Sequence, residues 1–239
     1  MNILITGAKG YIGTHLKQYI KDKGYNVISY EGDIRDFKNI DCLNIDMVIH
    51  LAALTGVRNS FNKQEEYYDT NVNGSRKVFD ACKYTGTKLI YTSSSNAKEW
   101  WTNPYAVTKK IMEEIAPKDS IGVRPHTVYP GRPDMLYDQL QRDPKLIIYI
   151  NGNHMRDFTH IEDFCSGLFT LIEKYDIIVH NKPIIDIGTG NAVSVLTVAR
   201  SMGWEGDVRV TKTPKEREVT EANITTLTEL GWRPKHSIL

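Results

Sequence analysis

Long apolar runs, paired cysteines and blocks of like charge are all missing from this 239-residue chain. No stretch approaches the ~20 consecutive apolar residues that cross a bilayer, and the N-terminus reads as a strand rather than a leader, so a cytoplasmic protein with no membrane contact is expected. Cys42, Cys82 and Cys165 are scattered, odd in number and free of C-x-x-C spacing. That pattern fits reduced thiols, argues against a disulfide scaffold, and gives no reason to expect a metal. Thirty basic residues face 29 acidic ones, and Lys/Arg never run longer than a pair. A nucleic-acid partner, which needs a basic face, is therefore not expected. What is present is 41% apolar residues, enough for a substantial core in one domain with a small appended lobe.

The most informative stretch is Met1 to Gly13. Asn2-Ile3-Leu4-Ile5-Thr6 is a short apolar run that stops at a glycine, as a buried central strand does. Gly7, Gly10 and Gly13 follow, and Tyr11 to Lys23 has helical spacing. Strand, tight turn and helix N-terminus form a cradle for a diphosphate, because unpaired N–H groups and the helix dipole attract anions. Three glycines also serve a plain structural turn; the flanking strand and helix favour a dinucleotide.

Tyr25 to Tyr30 reads as a second strand ending at Glu31. A carboxylate there pairs with ribose hydroxyls and repels a 2′-phosphate, which favours NAD over NADP, although acids at strand ends also occur simply as surface residues. Asp33 and Ile34 follow too closely for another helix and strand, so the usual outer strand is expected to be absent and these two residues to lie near the adenine. Asp46 to Leu54 is a strand running into Ala52 and Ala53, whose small side chains allow close approach of a cofactor or simple packing. Lys63 to Tyr84 is expected as one long helix, with Tyr67, Asn71, Gly74, Val78 and Ala81 on one side. Lys88 to Thr92 is a strand opening onto Ser93-Ser94-Ser95-Asn96, and Pro104 begins a helix. Ser120 to Arg124 is a strand, Pro125 to Gly131 a loop, Lys145 to Ile150 extended and Ile161 to Lys174 a helix. Pro183 to Ile187 is a last parallel strand, and Ser194 to Met202 a helix. From Asp207 the tail has a short strand, then a helix ending near Leu230. The alternation predicts an α/β, doubly wound, Rossmann-like parallel sheet. Residues 1–125 with 183–190 are expected to form the dinucleotide-binding core, and 126–182 with 191–239 a small C-terminal substrate-binding lobe.

Tyr105 and Lys109 lie four apart and share a helix face. A phenol has an ordinary pKa near 10, so half-populating tyrosinate near pH 7 requires roughly 4 kcal/mol. An ammonium one turn away and a positive nicotinamide have the right sign to supply it. Such a pair arises by chance on many surface helices; the glycine loop and the serine cluster before it are what favour chemistry.

With these residues in place, the chain resembles the extended short-chain dehydrogenase/reductases, a family of nucleotide-sugar epimerases and dehydratases. The resemblance rests on Thr6 to Gly13, His50 to Arg58, Tyr67 to Gly74, Thr92-Ser93-Ser94 with Tyr105-x-x-x-Lys109, Arg156 to Asp163 and Leu230 to Pro234. It spans nearly the whole chain, with the motifs in the family's order. It implies Ser94, Tyr105 and Lys109 as catalytic residues, Tyr105 taking a proton from a sugar hydroxyl, commonly at C4, as hydride passes to NAD. Cofactor contacts are implied at Gly7, Gly10, Tyr11, Ile12 and Gly13, and at Glu31, Asp33 and Ile34. Leu51, Ala52, Ala53, Thr92 and Pro125 complete that set, with Tyr105 and Lys109. For the nucleotide-sugar substrate, contacts are implied at Ser94, Ser95, Asn96, Thr127 and Arg156, the last gripping the diphosphate. Asn71 is implied to fix the active-site loop, or else to serve only helix packing. A homodimer through the Lys63 to Tyr84 and Tyr105 helices is the family's habit.

The chain also departs from the pattern. Ala97-Lys98-Glu99-Trp100-Trp101 replaces the family's Val-Tyr-Gly after the serines, and the intervals from Tyr105 to Arg124 and from Arg132 to Arg156 are contracted. Ser95 and Asn96 stand where dehydratases of the family carry Asp-Glu, which disfavours dehydration. An NAD-dependent epimerase is the leading expectation. A keto-nucleotide-sugar reductase consuming NAD(P)H, or a dehydratase, and a non-catalytic dinucleotide sensor are the rivals.

Overall fold

The computed structural model describes residues 1–150, 154–180, 183–210 and 217–239. Ile3, Leu4 and Ile5 are buried, as a strand covered on both faces requires. They belong to β1 (Asn2–Thr6), which is followed by β2 (Asn26–Tyr30), β3 (Met47–His50), β4 (Lys88–Thr92) and β5 (Ser120–Pro125). With β9 (Ile184–Ile187) these form a six-stranded parallel sheet in the order β2-β1-β3-β4-β5-β9. No strand lies beyond β2 among the described residues, in line with the short interval between Glu31 and Asp33. Chain direction across the sheet reverses between β1 and β3. The crevice at their C-terminal ends is the place where doubly wound sheets bind ligands.

The helices Tyr11–Asp22 and Ile161–Glu173 cover one face of the sheet, and Ser75–Thr85 and Pro104–Ile115 the other. The apolar core on the face covered by Tyr11–Asp22 and Ile161–Glu173 extends past the expected boundary. Phe164, Leu168 and Leu171, from the stretch assigned to the small lobe, pack with Ile3, Leu16 and Ile49, and Trp232 joins them from the C-terminal turn. Trp232 also donates its indole N–H to Ser166 Oγ at 3.0 Å, so the tail is anchored in the main core. Burying a large apolar side chain of this kind contributes roughly 1.5–3 kcal/mol.

The long helix expected from Lys63 to Tyr84 is interrupted. Val57–Asn62 and Gln64–Tyr68 are short helices, Asp69–Gly74 is a π-turn, and Ser75–Thr85 is regular. A π-turn carries an extra residue, and here it accompanies the inward placement of Asn71. Pro125 to Gly131 is not all loop: β6 (Thr127–Tyr129) pairs in parallel with β8 (Met155–His160). Flanking prolines hide this strand from a periodicity reading, yet Val128 and Tyr129 are β-formers and are buried. The lobe is completed by β7 (Ile148–Ile150) paired with β11 (Val208–Val210), and by β10 (Ala192–Ser194) and β12 (Val219–Thr220) on either side of β8. Among the described residues no helix is long and apolar enough to cross a membrane.

Candidate active site

The C-terminal ends of β1, β3, β4 and β5 open into a cleft of about 770 Å³ that the small lobe closes from the other side. Its walls bring together Gly7, Gly10, Tyr11, Ile12, Gly13, Leu51, Ala53, Thr92 and Pro125 with Ser94, Ser95, Asn96, Tyr105, Lys109, Thr127 and Arg156. Most of the expected contact residues thus share one cavity, although they are spread from Gly7 to Arg156.

Of the expected cofactor and substrate contacts, four do not line it. Ala52 lies behind the glycine loop, its N–H donating to Thr6 Oγ1 at 3.3 Å. Glu31 is exposed and forms an ion pair with Lys9 of the loop. Asp33 caps the turn Ile34–Asp36 and binds Arg35, whose guanidinium holds its carboxyl down at about 2. Ile34 is buried against Gly74.

The glycine loop is shaped by close backbone contact. Gly7 has φ +70, and a Cβ there would stand 2.7 Å from Ala52 N. A Cβ on Gly13 would stand 2.2 Å from Gly7 O, so only glycine lets the helix rest on its own loop. That helix begins at Tyr11 with no side-chain cap and no acidic residue in its first turn. Its leading N–H groups therefore face the cleft uncompensated, as a diphosphate requires.

On the opposite wall, Asn103 caps the Pro104–Ile115 helix by accepting from Ala106 N at 2.8 Å, and Pro104 occupies its first position. This puts Tyr105 and Lys109 on one buried face. Lys109 Nζ donates to Thr92 O at 2.9 Å. Burial pulls its ammonium pKa down to about 7, against the pull of the Glu113 carboxylate. Burial pushes the Tyr105 phenol up, and the opposing influences are a hydrogen bond with the Ser94 hydroxyl and the positive charge of Arg132. The phenol is thus protonated at neutral pH in the protein alone, and added positive charge in the cleft would ease its ionisation.

Supporting contacts fix these groups. Asn71 is fully buried and clasps the segment after β3, accepting from Leu54 N at 2.8 Å and donating to Leu54 O at 3.0 Å; it also donates to Thr108 Oγ1 at 3.0 Å. His50 bridges Thr6 Oγ1 and Ser75 Oγ, and burial lowers its pKa to about 3, which keeps it neutral. Glu113 receives both Arg124 nitrogens at 2.7 Å and the Ser93 hydroxyl at 2.6 Å.

Three arginines lining the cleft, Arg58, Arg132 and Arg217, carry no role in the sequence reading. Arg132 donates to Thr55 Oγ1 at 3.3 Å and also pairs with Asp134. Arg217 donates to Glu99 at 2.7 Å and to Ser95 O at 2.9 Å. In sequence Arg132 only begins a contracted interval, and nothing near Arg217 marks it, since its partners are more than a hundred residues away. Outside the cleft, His160, Glu162 and His236 place donor atoms within 4.8 Å of one another. The two rings are stacked at 4.1 Å with their planes 25° apart, so an ion in the plane of one ring is out of the plane of the other.

A family model described as the NAD dependent epimerase/dehydratase family matches residues 3–188. The chain belongs to that family. An uncharacterized UDP-glucose epimerase, YtcB, of Bacillus subtilis (strain 168) is 30% identical, over 83% of this chain and 80% of the relative. UDP-glucuronate 4-epimerase 4 of Arabidopsis thaliana is 26% identical, over 98% of this chain and 72% of its own length. The fold matches UDP-glucuronic acid 4-epimerase from Bacillus cereus, solved in complex with UDP-glucuronic acid and NAD, with a TM-score of 0.87 at 26% identity; the match covers 100% of this chain and 95% of the other. The doubly wound epimerase/dehydratase fold and the family read from the motifs are both borne out.

Proposed function

We propose that the chain is an NAD-dependent epimerase of a UDP-hexose or UDP-hexuronate, working by transient oxidation at C4 with Tyr105 as the base. The observation that carries this reading is the cleft itself. The uncapped glycine-loop helix stands on one side and Ser94, Tyr105 and Lys109 on the other, with Arg156 and Arg217 contributed by the lobe. The residues fit NAD: the loop approaches as closely as only glycines allow, and a buried amine lies beyond it. Bound there, NAD would accept a hydride from the sugar and return it to either face of the ketone.

The chain's own groups do the rest. Tyr105 takes the proton of the reacting hydroxyl and gives it back, sharing it with Ser94. Lys109 holds the nicotinamide ribose and adds positive charge that draws the phenol toward ionisation, which burial alone opposes. Arg156 and Arg217 meet the substrate diphosphate, a planar fork being suited to paired phosphate oxygens. Ser95 and Asn96 offer no carboxylate for acid/base work, which favours epimerisation over loss of water.

Purified protein incubated with NAD and UDP-glucose or UDP-glucuronate is expected to produce the 4-epimer with no net change in nicotinamide absorbance. Absence of interconversion across UDP-, dTDP- and GDP-sugars, or stoichiometric consumption of NADH, would refute the reading. Tyr105→Phe is expected to lower kcat at least about a hundredfold while NAD still binds.

A further inference from the structure

The Ser95–Thr102 turn starts from Ser94 and ends at Asn103, the cap of the helix that carries Tyr105. Every residue in it therefore lies on the covalent path between the two groups that share the proton. The turn is not held by a sheet. Two side chains from the stretch that departs from the family pattern tie it to distant segments, and a non-helical kink at Glu99 (φ −122, ψ 56) divides it.

Lys98 forms an ion pair with Asp186 at the end of β9. Asp186 is 5% exposed, accepts from Asn223 N at 3.0 Å and lies 3.4 Å from His126 Nε2. One buried carboxylate thus collects the turn after the serines, the segment after β5 and the C-terminal lobe. Glu99, at the kink itself, accepts from Arg217, which also donates to Ser95 O. A surface ion pair would do little to fix a turn, but a carboxylate this buried needs its partners, and breaking such a pair is costly.

We propose that Lys98 is a positioning residue: its ion pair with Asp186 sets where the Ser94 hydroxyl stands against Tyr105. The proposal rests on the reading of Ser94 and Tyr105 given above. Lys98 does not line the cleft, so it acts on the reaction only through the turn. A displacement of about 1 Å between reacting groups can lower a rate by about a hundredfold.

The test measures kcat and KM for the UDP-sugar that the parent protein turns over, in NAD-loaded Lys98→Met, Lys98→Arg, Asp186→Asn and Tyr105→Phe. Lys98→Met and Asp186→Asn should each lower kcat at least about tenfold, with KM and NAD affinity within about twofold of the parent. Lys98→Arg should restore most of the rate. Because Lys98→Met leaves a buried carboxylate short of a cation, the double variant Lys98→Met/Asp186→Asn is measured as well. It should fold and keep the loss in kcat, no worse than either single variant.

The proposal is overturned by an unchanged kcat in Lys98→Met, by a loss confined to KM, by failure of Lys98→Arg to rescue, or by full recovery in the double variant. Tyr105→Phe separates the two levels. If it is fully active, the reading beneath the proposal fails; if it is inactive while Lys98→Met is normal, the proposal alone fails.

Discussion

Lys109→Met should make the protein without its cofactor more stable near neutral pH and abolish its activity. The native amine is pulled from the ordinary 10.5 to about 7 by burial. At 1.36 kcal/mol per pKa unit, keeping it charged in the fold below pH 7 costs about 5 kcal/mol. Replacement by Met also leaves Thr92 O without its 2.9 Å donor, a loss of about 1–3 kcal/mol. A net gain of about 2–4 kcal/mol remains.

The pH dependence has a definite sign. Between pH 7 and 10.5 the unfolded lysine is protonated and the native one is not, so parental stability rises with pH across that window and is flat below it. The advantage of Lys109→Met should therefore be greatest at pH 6 to 7 and shrink toward pH 10. Urea or thermal unfolding of both proteins across this range measures it, with other titrating groups cancelling in the difference. A gap that does not change with pH, or a variant less stable than the parent at pH 7, would refute the claim that burial controls this amine.

Other outcomes follow from the site. Gly13→Ala should weaken NAD binding about tenfold or more, a loss of at least about 1.4 kcal/mol, because its Cβ would stand 2.2 Å from Gly7 O and push the helix off the loop; titration of protein fluorescence with NAD measures it. Asn71→Ala removes the clasp on Leu54 and the contact with Thr108. It should cost about 2–3 kcal/mol in urea unfolding, with activity falling as the cleft wall loosens. The conservative Tyr105→Phe change should leave stability within about 1 kcal/mol of the parent, so its lost rate can be assigned to the phenol.

The parts that could be read from the sequence are those whose causes are local. Strand, glycine turn and helix follow one another from Asn2 to Asp22, and each is dictated by its neighbours: apolar continuity for the strand, close backbone approach for the glycines, periodicity for the helix. Tyr105 and Lys109 share a face because a helix turns every 3.6 residues, and Pro104 marks where that helix starts. Sequence order alone also showed that nothing fits between Glu31 and Asp33, hence the missing outer strand.

Other features were decided only when distant segments met. The strand Thr127–Tyr129 exists because Phe158–His160 lies beside it, a pairing partner that no local pattern names. Ile34 is core because Gly74 makes room for it, Asp33 is held by Arg35, and Glu31 faces Lys9. Arg132 and Arg217 enter the cleft from the lobe, and Lys98 finds Asp186 88 residues away. Sequence by itself determined the backbone elements whose causes are local and which of them carry reactive side chains, since propensity and periodicity act over a few residues. Tertiary structure decided which charges stand beside the phenol and which carboxylates are already paired, because electrostatic influence depends on distance in space and on burial, neither of which is written along the chain.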